Sequence, residues 1–368
     1  MCLCDMLAAN GSAAGAPVAP SPRLLWHIDA EGRGTPAVAG RTAFFLSKRH
    51  ELVAVQASSG RVLWRARTPG GGDQTAGSRV ICSDGRVIAG DDGVVGFDGD
   101  GRERWRFNDP EVSASGIYLG DAAGGLVFTG SSSGRIAAID TASGRLRWKA
   151  SAGGEDTTVF APAADEQLVV AGYTTFAATL SGGVVAWDAR SGRERWRVSF
   201  AATGSPAGLT GGPVLADRYV AATSRDGTIL VIERRSGRLM STVPAVGEAA
   251  IAGLDAVSQD FRPLAWADRG RVLIAGSLTG FVVAVDAASG VERWRRRPIA
   301  ASIGLALTIE DGTLYVPYLS GPLVALDASN GAERWRTPAE PGFSWAPAAV
   351  PGRVFAAGSR KGFFAFIR

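Results

Sequence analysis

Short apolar runs broken by glycine fill the chain from Arg23 onward. Around residues 116–151 they read GIYLGDA, GGLVFTG, GRIAAID and RLRWKA, separated by Gly, Ser and Asp turns. Val, Ile, Leu and Phe with small partners at alternating positions favour strands, and no segment carries a sustained helical period. Each set of four runs therefore predicts a four-stranded antiparallel meander.

The set repeats, and its most legible part is the turn between the third and fourth runs. It is spelled IDTASGRLRW at Ile139–Trp148, WDARSGRERW at Trp187–Trp196, VDAASGVERW at Val285–Trp294 and LDASNGAERW at Leu326–Trp335. Looser copies are VQASSGRVLW at Val55–Trp64 and FDGDGRERW at Phe97–Trp105. From Trp26 through Trp64, Trp105, Trp148, Trp196, Trp294 and Trp335 the spacings are 38, 41, 43, 48, 98 and 41. The interval of 98 holds one degenerate copy, VIERRSGRLMS at Val231–Ser241, with Ser241 where Trp belongs. That makes eight units. Units of this length bury their faces only by stacking on neighbours, so the chain is expected to be all-β: an eight-bladed β-propeller of four-stranded antiparallel blades.

The last unit, SWAPAAV, GRVFAAGS and GFFAFIR, stops at Arg368 without a fourth strand. The segment RLLWHID from Arg23 is a fourth strand with no third strand before it. The N-terminal strand is thus expected to close the last blade, leaving no unpaired inner edge. Residues 1–22 are assigned to a flexible tail or linker and 23–368 to the propeller. From Leu7 to Pro22 the tail is Ala, Gly, Pro and Ser with one Asn, a linker composition that suggests a miscalled start or a piece of a longer protein. It shows neither the basic and apolar regions of a secretory signal nor an apolar run before Cys4 that a lipoprotein signal needs.

Each letter of the repeated turn has a physical task. The Asp carboxylate accepts backbone N–H bonds, the Gly supplies positive φ, and the Trp wedges between neighbouring sheets. Truncating one buried indole costs on the order of 3–5 kcal/mol. The flanking Arg residues fall on the outermost strand, where charge blunts edge-to-edge association.

Composition narrows the chemistry. The net charge is +4, and the basic residues are spread by the repeat instead of forming the stripe that nucleic acid requires. No apolar run approaches the ~20 residues that span a bilayer. A monomer is expected. Of three cysteines, Cys2 and Cys4 lie in the tail and Cys82 in an apolar run, so no disulfide framework follows. The two histidines, His27 and His50, provide no zinc set and no recognisable triad. GDAAGG and TPGGGDQ lack a P-loop lysine and read as turns.

The pattern A-x-D-x-x-[ST]-G-x-x-x-W resembles the tryptophan-docking motif of the quinoprotein-type (PQQ-like) eight-bladed propellers. Four copies match it fully in Ala, Asp, Gly and Trp: Ala138/Asp140/Gly144/Trp148, Ala186/Asp188/Gly192/Trp196, Ala284/Asp286/Gly290/Trp294 and Ala325/Asp327/Gly331/Trp335. The resemblance covers about Arg23 to Arg368 and implies the fold. For function it implies one of three branches: quinone-dependent dehydrogenases, a non-catalytic lipoprotein propeller of outer-membrane assembly, or propellers appended to bacterial serine/threonine kinases. Members are often periplasmic or extracytoplasmic, and this sequence leaves the compartment open. The dehydrogenase branch carries adjacent cysteines and a Ca²⁺ site of Glu, Asn and Asp oxygens beside PQQ. This chain has no Cys-Cys pair and very few Asn. The expectation is a scaffold without cofactor, with a PQQ-dependent dehydrogenase or a detached kinase sensor as alternatives.

In a propeller, blade-to-blade loops and second-to-third-strand loops emerge on one face. Here they include TPGGGDQTAG, FNDPEVSASG, SFAATGSPAGLTGG, STVPAVGEAAIAGLDAVSQDFRP and GYTTFAATLSGG. Long loops on a rigid scaffold are where binding concentrates. The expected site for a protein partner or small ligand is this face, with Tyr118, Phe160, Asp260, Arg262, Trp266 and Trp345 as candidates. The competing assignment for Phe160, Trp266 and Trp345 is inner-strand core. For Asp260 and Arg262 it is an ordinary surface ion pair.

Overall fold

The repeated units fold as eight meanders, designated blades 1–8, with strands A to D running from the inside outward. A computed structural model describes residues 21–69, 78–90, 93–113, 116–178, 180–201, 208–225, 227–243, 261–299, 301–319, 321–358 and 361–367. The tail expected over 1–22 lies almost wholly outside them. The strands of blades 1 to 7 fall within residues 32–67, 79–107, 117–151, 157–201, 214–243, 261–296 and 308–336; in blade 3, Ile117–Ala123, Leu126–Ser131, Arg135–Asp140 and Leu146–Ser151 pair in that order. Blade 8 takes Ala348–Val350, Arg353–Ala357 and Phe363–Ile367 from the C-terminal end. Its strand D is Arg23–Ile28, which pairs antiparallel with Phe363–Ile367 and closes the ring as the sequence implied.

The core is distributed between the blades. Eight apolar clusters each join one blade to the next, around to blade 8 against blade 1. Strands B and C differ from simple alternation: Ile136, Ala137, Ala138 and Ile139 are all fully buried. Each sheet is packed by a neighbour on both faces, so its middle strands have no wet side.

The docking turn explains the repeated letters. Six of the docking indoles reach the next blade and donate Nε1–H to a backbone carbonyl: Trp26 to Ala57 (3.0 Å), Trp64 to Gly99 (2.8 Å), Trp105 to Thr141 (2.9 Å), Trp148 to Ala189 (2.9 Å), Trp196 to Arg234 (2.7 Å) and Trp294 to Ala328 (3.2 Å). The motif Gly has a second task beyond its positive φ. A Cβ on Gly192 would lie 2.6 Å from the Trp148 ring, and one on Gly144 2.6 Å from Trp105. The motif Ala is the cross-strand partner of its own blade's Trp, as in Ala138 with Trp148 and Ala186 with Trp196. A small residue there leaves room for the indole.

The blade 5–6 interface departs from this plan in three linked ways. Ser241 replaces Trp and donates a long 3.3 Å bond to Ala287 O. Its cross-strand partner is Val231 instead of Ala. A Cβ on Gly290 would meet nothing nearer than 3.6 Å.

The motif aspartates sit where the sequence placed them. Asp286 Oδ1 accepts the N–H groups of Ala288 and Ser289, and Oδ2 accepts Arg293 Nη2 at 2.7 Å. Asp327 is held alike by Ser329 N and Arg334 Nη2. The Arg hydrogen bond, then those from the turn, hold both carboxyls down to about 2. The next Arg, beyond the Trp, pairs with the Glu three residues earlier: Arg106 with Glu103, Arg197 with Glu194, Arg295 with Glu292 and Arg336 with Glu333. Much of the rim's positive charge is therefore matched within its own blade.

Candidate binding face

The meander sends the docking turns (C to D) and the A-to-B turns to one face. The B-to-C turns and blade connections go to the other, the expected binding face. Tyr118 lies at its end of strand A in blade 3, opposite Gly130. Phe160 lies on the inner side of blade 4, between Thr157–Val159 and Ala163–Ala164. The structure brings these two rings together, with centroids 6.1 Å apart and both half-buried. Ser132 Oγ donates to the Tyr118 hydroxyl at 3.3 Å.

Polar links tie the inner strands behind them. Asp121 of blade 3 accepts Arg79 Nη1 of blade 2 at 3.3 Å and the Ala164 N–H of blade 4 at 3.2 Å. Thr174 Oγ1 donates to Leu209 O at 3.0 Å and accepts its N–H at 2.7 Å, joining blade 4 to blade 5. Bonds that cross blade boundaries fix the wall against which a ligand would press.

The most accessible apolar groups on this face were not among the sequence candidates. Phe176 follows strand B of blade 4 and is 53% exposed, with the Arg225 guanidinium of blade 5 at 5.9 Å over its ring. Leu305 and Leu319 of blade 7 are 55% and 39% exposed. Their backbones are anchored, Leu305 N to Ser344 O and Leu319 N to Ser302 O, both at 2.9 Å. In blade 6, Arg297 lies 5.0 Å over Phe281, and its Nε donates to Thr279 O at 3.0 Å. Tyr318 beneath is fully buried, donates to Gly280 O at 3.3 Å, and has its phenol pushed far up by that burial. Among the described residues, the other exposed large hydrophobics, Leu24, Val62, Leu63, Leu239 and Val291, lie on or beside outermost strands.

Two tryptophans depart from their expected place on this face. Trp345 is only 8% exposed and packs with Trp26, Phe45 and Phe355 between blades 8 and 1. Fully buried Phe343, two residues earlier, enters the other interface of blade 8, against blade 7, so both sides of this inner segment are core. Trp266 pairs with Leu273, beside the A-to-B turn and so at the opposite end of its strand. It stacks on Tyr219 of blade 5 at 6.3 Å. Trp266 thus gives the blade 5–6 interface an aromatic where the docking Trp is missing. Arg262 has its backbone in strand A of blade 6, at the B-to-C end. Asp260 lies outside the described residues, as do residues 244–259 of the long loop.

Comparison with known proteins places this geometry. A family model described as outer membrane protein assembly factor BamB matches residues 15–242 and 267–366. The chain belongs to this family of PQQ-like propellers. No curated protein matches it by sequence. Solved structures similar to this PQQ-like propeller include the computationally designed protein Ika8, at 17% identity and TM-score 0.74, covering 94% of this chain and all of that one. BamB from Moraxella catarrhalis is 17% identical with TM-score 0.67, over 94% and 97% of the two chains. A europium-containing methanol dehydrogenase is 14% identical with TM-score 0.74, over 94% and 93%. At these identities the likeness is one of fold, shared by designed, assembly and enzymatic proteins alike.

Proposed function

We propose that this PQQ-like propeller is a non-catalytic scaffold that binds a protein or ligand partner on its B-to-C face. The observation that carries the reading is that Phe176, Leu305 and Leu319 are all exposed, Phe176 and Leu319 just after strand B of blades 4 and 7 and Leu305 on the inner segment of blade 7 between Ile303 and Thr308. Exposed apolar groups beside arginines are the usual anchors of recognition surfaces. Support also comes from the donor set. A quinone–calcium site needs converging oxygen ligands. Among the described residues no group of three or more His, Cys, Asp or Glu converges, and Asp121 is already committed to Arg79 and Ala164. That donor set supports the scaffold reading over a quinone–calcium site. No helix among the described residues is long and apolar enough to cross a membrane.

The test is capture from native lysate with three baits: the intact chain, a Phe176→Glu/Leu305→Glu variant, and a Leu63→Glu variant altered on an outermost strand. A partner retained by the intact and Leu63→Glu chains and lost by the face variant supports the scaffold. Capture indifferent to the face changes removes it. Reduction of an artificial electron acceptor after loading with PQQ and Ca²⁺ would establish the dehydrogenase alternative instead.

A further inference from the structure

We infer that the partner engages blades 4–7 through a segment that alternates acidic and apolar side chains. The inference rests on the B-to-C face being the binding face and names the chemistry it selects. Most arginines beside the docking tryptophans already have a carboxylate: Arg104 with Asp98, Arg195 with Asp188, Arg293 with Asp286 and Arg334 with Asp327. Arg225 and Arg297 differ. Both are exposed, and among the described residues neither has a carboxylate within ion-pairing distance. Each lies over a phenyl ring instead, Arg225 over Phe176 and Arg297 over Phe281.

At 5.9 and 5.0 Å over their rings the two guanidiniums keep Nη–H groups for a carboxylate, Arg297 having committed its Nε to Thr279 O. The ring restricts the side chain in advance, so less conformational freedom is lost when an acid arrives. Apolar surface adjoins both stations, Phe176 itself at the first and Leu305 with Leu319 in the blade next to the second. The Tyr318 hydroxyl bond to Gly280 O binds blade 7 to the turn that carries Phe281. The exposed acids Glu155 and Asp156 lie beside Phe176 at the blade 4 end, where Phe176 N donates to Asp156 O. The acidic residues of a complementary segment therefore belong over blades 5–7. An extended chain puts successive side chains on opposite sides, which matches charge on one line and apolar contact on another.

The experiment is an anisotropy titration of the full chain with labelled ten-residue probe peptides: alternating Asp and Leu, alternating Lys and Leu, and alternating Asp and Ser. The Asp–Leu peptide is expected to bind at least tenfold more tightly than either control, and more weakly as salt is raised. Arg225→Glu/Arg297→Glu should lower its affinity at least tenfold. Arg218→Glu, which alters an arginine stacked on Tyr219 on the opposite face, should leave it unchanged. Equal binding of the Lys–Leu peptide, indifference to the double change, or tighter binding of a single-stranded DNA oligomer would overturn the inference. If lysate capture depends on Phe176 and Leu305 while no acidic peptide binds, the scaffold stands and this chemistry falls.

Discussion

The same substitution, glycine to alanine, should have two different costs at two equivalent docking turns. Gly192 and Gly290 occupy the same place in blades 4 and 6, with φ of +69° and +72°. A Cβ in this left-handed region costs roughly 1–2 kcal/mol at either site. At Gly192 it would also stand 2.6 Å from the Trp148 ring, whose Nε1–H is bonded to Ala189 O. Overpacking adds about 1–3 kcal/mol, and a strained hydrogen bond about 1 more. At Gly290 the nearest atom is Ser241 Cβ at 3.6 Å, an ordinary contact. Gly192→Ala should therefore destabilise by about 3–6 kcal/mol and Gly290→Ala by only about 1–2 kcal/mol. Urea unfolding followed by far-UV circular dichroism measures both. Pairing Gly192→Ala with Trp148→Ala completes the argument, because removing the ring removes the clash and leaves only the φ penalty. A coupling of about 1–3 kcal/mol between the two changes is expected. Equal costs at Gly192 and Gly290, or full additivity with Trp148→Ala, would refute the claim that this glycine is the seat of the indole.

Three further outcomes follow from the same geometry. Ser241→Trp alone should bring no gain in melting temperature, because Val231 stands where other blades have Ala or, in blade 2, Gly96 opposite the indole; Ser241→Trp with Val231→Ala should gain about 2 kcal/mol, and calorimetry showing the double variant below the single one would sink this account. Asp286 and Asp327 have folded pKa values of about 2, below the ordinary carboxylate value of 3.8, so their stabilisation is fully present above about pH 4 and is lost as pH falls toward 2; melting temperature followed from pH 5 to pH 2 should drop, and Asp286→Asn/Asp327→Asn should flatten that drop. Cys82, half-buried on strand A of blade 2, has its thiol pushed up to about 11 by burial, so in a chain carrying Cys2→Ser and Cys4→Ser its alkylation by iodoacetamide at pH 8 should be at least tenfold slower than that of free cysteine.

What was legible in the sequence follows from how locally each feature is specified. The docking turn is short and self-contained: Asp140 bonds Ser143 N three residues on, and Gly144 seats a ring from the preceding blade. Its copies therefore count the blades, and the unmatched RLLWHID at one end and GFFAFIR at the other announce the closure. Side-chain direction on strand A is set less locally. In blades 5, 7 and 8 that strand is short and is continued by single bridges at Leu209, Ile303 and Phe343. Trp345 and Tyr118 both read as aromatic residues on an inner strand, yet one is core and the other lines the face. Parity does not separate them, because both faces of each sheet are packed: Phe343 and Trp345, two residues apart, enter different interfaces, whereas Tyr118 is half-buried at the open end of its strand. Phe176, Leu305, Leu319, Arg225 and Arg297 escaped for a different reason. Each lies in or beside a turn or an irregular inner segment, where hydrophobic pattern carries no information, and only the packing of neighbouring blades brings Arg225 of blade 5 over Phe176 of blade 4. Fold was written in contacts within about forty residues of each other, which a repeat displays openly. The proposed binding face is assembled across blades from the positions the repeat leaves free to vary, so a signal that depends on repetition is silent there, and a rigid frame with variable turns is the arrangement from which a partner-specific surface is built.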